Sequence, residues 1–148
     1  MIENIGDIKL SANWMCASGS NDQDSALYQT VKAVGMEFCP QLGISIPVGK
    51  DSLSMKTAWR ESSKNKEVLS PLSLNISAFA PIKDVRLAAT PVLDTDCFDS
   101  TILLIDLGFN KNRLGGSIYM QVHSEIGSVA PDVDDPKLLT SFFDLMKK

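Results

Sequence analysis

Ile44-Ser-Ile-Pro-Val-Gly-Lys-Asp-Ser-Leu-Ser-Met-Lys-Thr57 decides how this chain is read, because a β-branched run delivers Gly49, Lys50, Asp51 and Ser52 into a turn and a second alternating run leaves it. Glycine lets a backbone approach a ligand closely, Lys50 supplies a compact positive charge, and Ser52 and Ser54 add hydroxyl donors suited to phosphate oxygens. A Walker A loop would need Gly-x4-Gly-Lys-Ser/Thr opening a helix. Here five residues separate Gly43 from Gly49, Asp51 follows Lys50, and Leu53, Met55, Thr57 and Trp59 alternate as in a strand. The segment is therefore not a P-loop. Two readings stay open: a phosphate contact, or a hairpin turn whose Lys50 and Asp51 are simply solvated.

Upstream of this stretch, Leu27, Val31, Val34 and Phe38 recur at steps of four, three and four, which predicts an amphipathic helix over residues 25–38. Asp22 and Asp24 suit its positive end, and Cys39-Pro40 is expected to stop it, since proline disfavours a helical residue before it. Residues 44–48 read as a buried strand and 54–60 as its successor, with the polar residues 61–67 as a solvated loop. Over residues 72–80, Leu72, Leu74, Ile76, Ala78 and Ala80 share one face, a strand of period two. The expected architecture is α/β in the α+β sense, with a mixed or antiparallel sheet packed against helices.

Between Pro81 and Ser100 the periodicity lapses, and Asp94, Asp96 and Asp99 form an acidic patch. A calcium loop is excluded there, because the EF-hand glycine is missing and Ile105 stands where the bidentate glutamate belongs. The patch reads as a linker, with a boundary between 1–93 and 94–148. Beyond it, residues 101–107 read as a buried strand, residues 114–126 as a helix, and Asp135-Pro136 as the start of a last helix carrying Leu138, Leu139, Phe142, Phe143 and Met146. One strand and two helices are expected to be an incomplete subdomain needing a partner for their apolar face.

Composition narrows the function classes. The chain has 148 residues, 44% hydrophobic and 22% charged, as in soluble globular proteins. A net charge of -4 gives no footprint for nucleic acid, and no apolar run reaches membrane-spanning length. Three cysteines, Cys16, Cys39 and Cys97, with no Cys-x-x-Cys pair, fit free thiols in a reducing, cytoplasmic setting. The sole histidine, His123, has no sequence-level partner for base catalysis, and no His, Cys and carboxylate cluster has metal-ligand spacing. Asn75-Ile76-Ser77 matches a glycosylation sequon only by chance on an apolar strand.

Several long motifs occur together in one order: residues 9–15, residues 39–57, Ser70-Pro-Leu-Ser-Leu74 with Ile76-Ser-Ala-Phe-Ala80, and Leu103-Leu-Ile-Asp-Leu-Gly108 with Arg113-Leu-Gly-Gly-Ser117. Together they resemble the large form of phosphoribosylformylglycinamidine synthase, also called formylglycinamide ribonucleotide amidotransferase. The resemblance implies an internal slice of the synthase region of an ATP-dependent ligase of purine biosynthesis, which makes formylglycinamidine ribonucleotide from formylglycinamide ribonucleotide, glutamine and ATP. It implies aminoimidazole ribonucleotide synthase-like subdomains, ATP or ADP and magnesium in the complete enzyme, and the other synthase and glutaminase domains as partners. The slice alone is expected to be inactive.

The resemblance places the metal-binding Glu-x-x-x-Asn pair upstream, a further metal-binding aspartate downstream and the glutaminase residues in a remote domain, so no metal ligand carries over; Glu3-Asn4 lacks the spacing. Carried over as phosphate or substrate contacts are Gly49, Lys50, Asp51 and Ser52, with Arg113, Gly115, Gly116 and Ser117 as a second anion-binding candidate, each equally readable as a structural turn. Asn13 and Trp14 are expected to pack a subdomain edge. The alternatives are an assembly segment holding an auxiliary, nonreacting nucleotide, and a stand-alone phosphate-binding module.

Overall fold

The segment Lys9–Met15 alternates polar and apolar residues, and in the computed structural model it forms β1, the central strand of a three-stranded sheet. Residues 2–93, 95–97 and 99–147 are described. Alternation sends Ala12, Trp14 and Cys16 to one face, and all three are buried, together with Ala17, Cys39 and Leu42. Burying Leu42 contributes about 2 kcal/mol.

A helical stretch leads from β1 to β2. It comprises α1 (Gln23–Lys32), a π-helical turn (Ala33–Phe38) and α2 (Cys39–Leu42). The stop expected at Cys39-Pro40 is not there. Cys39 donates to the Val34 carbonyl in the widened turn, and Pro40 occupies the first turn of α2, where a missing amide costs least. The helix ends instead at Gly43 in the left-handed region, where Ile44 N donates to Cys39 O and Gly43 N to Pro40 O, a Schellman closure.

β2 (Ser45–Gly49) runs parallel to β1 and β5 (Ser73–Phe79) antiparallel to it, giving the order β2-β1-β5 in a mixed sheet. The register with β5 is continuous from Lys9 opposite Phe79 to Met15 opposite Ser73. Between these strands, β3 (Lys56–Glu61) and β4 (Lys64–Leu69) make a separate hairpin. Residues 61–67, expected to be loop, are thus largely strand. Ser62 and Ser63, at φ 48 and 65, form a two-residue turn whose two positive φ values match the twist of antiparallel strands. The ion pairs Lys56–Glu67 and Lys66–Glu61 link the two strands.

The chain divides into two compact units, Met1–Lys83 and Asp84–Met146. In the second, no described residue joins a β-ladder, so the strand expected at residues 101–107 is absent: Ile102 is 87% and Leu104 95% exposed. A strand needs a neighbour for its backbone groups, and this unit supplies none among the described residues. The helix expected over residues 114–126 shortens to α3 (Ile118–Val122), begun by Ser117 and closed at His123. The last helix, α4 (Pro136–Met146), forms as expected, with the Asp135 carboxylate accepting from Lys137 N at 2.9 Å. Of the acidic patch, Asp94 lies outside the described residues. No described helix is long and apolar enough to cross a membrane.

Candidate functional site

The 49–52 segment is not a hairpin turn. It continues alongside the central strand after β2 ends, with Lys50 N donating to Ala12 O at 2.9 Å and Ser52 N to Trp14 O at 2.8 Å. Cys16 N returns a bond to Ser52 O at 3.1 Å, and Met15 pairs in parallel with Ser52. These bonds fix the segment's path and consume the amides of Lys50 and Ser52. The chemistry left to a ligand lies in side chains: exposed Lys50 and Asp51, and half-buried Ser52. Among the described residues neither Lys50 nor Asp51 forms an ion pair, whereas Lys32, Lys56, Lys66, Lys83 and Lys111 each do. A Cβ on Gly49 would meet only Ala12 O, at an ordinary 3.5 Å, so packing does not itself demand glycine there.

The Arg113 motif lies in the second unit and is spoken for internally. The Arg113 guanidinium donates to Asp134 Oδ2 at 2.7 Å and to Asp132 O at 3.0 Å, and Lys111 Nζ donates to Asp134 Oδ1 at 3.0 Å. These two cations, Lys111 first, hold the Asp134 carboxyl below the usual carboxylate range. Gly115 N donates to Val129 O at 2.8 Å, Gly116 N to Ile126 O at 2.7 Å and Ser117 N to Leu114 O at 3.0 Å, while Ser117 Oγ accepts from Met120 N. A Cβ on Gly115 would stand 2.7 Å from the Val129 carbonyl carbon and oxygen. The glycine is there because two backbones cross at a distance only glycine allows.

Other sequence candidates find structural places. His123 caps the end of α3, its ring 4.7 Å from that of Tyr119. Cys16 and Cys39 are buried and Cys97 is exposed; burial pushes the Cys39 thiol up. Trp14 is core, and the Asn13 Oδ1 is buried without a partner. Among the described residues no group of three or more His, Cys, Asp or Glu side chains could hold a metal ion. Two functional-looking carboxylates escaped the sequence: Asp134, whose partners lie 21 and 23 residues away, and Asp24, whose place before a helix suggested only a favourable charge.

A βαβ unit closed by an antiparallel strand, with a lysine-, aspartate- and serine-bearing segment running on from the parallel edge, makes an α+β domain with a small mixed sheet. The chain belongs to the FGAR-AT PurM_N-like domain family, whose model matches residues 1–81. FGAR-AT is formylglycinamide ribonucleotide amidotransferase, the purine-biosynthesis synthase that the sequence motifs resemble.

Proposed function

We propose that this chain is a segment of the synthase region of an ATP-dependent ligase that converts formylglycinamide ribonucleotide, glutamine and ATP into formylglycinamidine ribonucleotide, and that residues 49–52 contact a phosphate-bearing ligand. The observation that carries the second part is the unpaired Lys50 and Asp51 beside Ser52, on a backbone already fixed by β1. In this reading Lys50 Nζ meets phosphate oxygen as a point charge and Ser52 Oγ donates a hydrogen bond, while Asp51 accepts one from a ligand hydroxyl or orients Lys50. The complete reaction activates the amide oxygen of the substrate by phosphoryl transfer from ATP, and ammonia then displaces phosphate at that carbon.

Surface area supports partners from the same enzyme. The chain exposes 11722 Å², against about 9,000 Å² for two separate compact domains of these sizes. The remaining synthase and glutaminase domains would cover the excess. On this reading residues 1–93 close a nucleotide-binding-type subdomain, residues 94–148 open the following one, ATP or ADP is the ligand, and the setting is cytoplasmic.

Lys50→Ala in the complete synthase tests the site. Loss of a charge-assisted contact predicts a fall in kcat/KM of about ten- to a hundredfold. The melting temperature should stay unchanged, because the Lys50 amide keeps its bond to Ala12. The engaged amides favour a second reading, an assembly segment around a nonreacting nucleotide. A lowered melting temperature with an intact rate per folded molecule would select that one.

A further inference from the structure

Residues 16–19 run beside the 49–52 segment and its continuation. Ser18 N donates to Leu53 O at 2.8 Å, Met55 N donates to Cys16 O at 3.1 Å, and Ala17 pairs with Ser54. The far end of this strap is held by one carboxylate. Asp24 Oδ1 accepts from Ser18 Oγ at 2.6 Å, and both its oxygens accept from Gly19 N at 3.1 Å. Asp24 sits in the first turn of α1, yet these oxygens reach back out of the helix, while Asp22, the residue that begins it, makes no side-chain cap. The left-handed Gly19, at φ 77, and Asn21, at φ 50, turn the strap toward the helix.

We propose that Asp24 is a positioning residue for residues 49–52: by clamping Ser18 and Gly19 it holds the 16–19 strap against residues 52–55, and so sets where Lys50 and Ser52 present their side chains. This rests on the phosphate-contact reading of that segment for its purpose, though not for its geometry. The Ser18 hydroxyl and the Gly19 amide keep the Asp24 carboxyl below its usual range, so the clamp is charged at neutral pH. The path is short and continuous: carboxylate to Ser18, Ser18 amide to the Leu53 carbonyl, Cys16 amide to the Ser52 carbonyl.

Amide hydrogen exchange of the complete synthase, read by mass spectrometry over residues 16–79 for wild type, Asp24→Ala and Asp24→Asn, tests the coupling, with ADP titrated into each as a probe. In Asp24→Ala the Ser18 and Gly19 amides should exchange faster, and the Ser52 and Met55 amides, which bond to Trp14 and Cys16, should follow by about fivefold or more. Asp24→Asn, which keeps one acceptor, should fall between, and β5 amides should not change. Faster exchange confined to Ser18 and Gly19, or spread evenly over the whole first unit, would overturn the proposal. If ADP protects residues 49–52 in wild type, Asp24→Ala should weaken that protection about threefold or more in ADP concentration; an equal ADP requirement would overturn the positioning role. If ADP leaves residues 49–52 unprotected while exchange spreads as expected, the phosphate reading falls and the clamp stands.

Discussion

Replacing Gly115 by alanine puts a methyl carbon 2.7 Å from the Val129 carbonyl carbon and oxygen and 2.9 Å from its nitrogen. Carbon atoms prefer separations of about 3.5–4.0 Å, so the two backbones must part by close to 1 Å. That movement breaks the bonds from Gly115 N to Val129 O and from Gly116 N to Ile126 O, now 2.8 and 2.7 Å. Overpacking costs about 1–3 kcal/mol and each lost bond about 1 kcal/mol, for a total of about 3–5 kcal/mol. Gly116→Ala is the control: its φ of 74 carries a left-handed penalty of about 1–2 kcal/mol, but nothing lies within 4 Å of the added carbon. Hydrogen exchange over residues 113–130 should therefore rise a hundredfold or reach the unfolded rate in Gly115→Ala, and rise about five- to thirtyfold in Gly116→Ala. Equal protection in wild type and Gly115→Ala, or a larger loss in Gly116→Ala, would refute the crossing as the reason for that glycine.

Three further outcomes follow from the same geometry. A thiol reagent should label Cys97 quickly in the native chain and reach Cys16 and Cys39 only on unfolding; rapid labelling of more than one thiol would contradict the core assignment. Replacing Ser62-Ser63 by Asn-Gly should strengthen the β3–β4 hairpin by up to about 1–2 kcal/mol, seen as slower amide exchange in both strands, because both turn residues already occupy positive φ. Asp134 has its folded pKa depressed from the ordinary 3.8, so its stabilising contribution is present above that value and disappears as pH falls through the lower folded one. Asp134→Asn should accordingly melt below wild type near neutrality, with the gap closing below pH 4; a gap that persists in acid would show that the ion pairs are not its source.

Much of the first unit was legible in the sequence because its periodicities are strong. Strand β5, the body of α1, and α4 with Asp135 at its start fall where the patterns put them, as does β2, which is however mostly exposed rather than buried as expected. The hairpin was hidden because its turn is Ser-Ser, without the glycine or asparagine that announces such turns, and β4 is rich in lysine and glutamate. Residues 101–107 misled in the opposite sense: an apolar run says what a segment would bury, not whether a neighbour is present to pair with it. At the candidate site, the lysine and serine could be read from the sequence, but their setting could not. That the Lys50 and Ser52 amides are spent on β1, and that Arg113 answers to Asp134, are long-range facts that no local spacing encodes.

The π-helical turn at Ala33–Phe38 also works as a phase corrector. In an unbroken α-helix, at about 100° per residue, Cys39 would stand about 120° around the axis from Leu27, away from the apolar stripe. One residue absorbed by the wide turn rotates everything after it back by about 100°, bringing Cys39 and Leu42 onto the line of Leu27, Val31 and Val34. Cys39 and Leu42 are the buried pair, while Phe38 is only half-buried. The helix thus takes up an odd residue and still places Cys39 and Leu42 among the buried side chains. Its length and its facing are set by separate parts of the sequence, so a single deletion inside the wide turn would leave that facing intact only if the turn tightened at the same step.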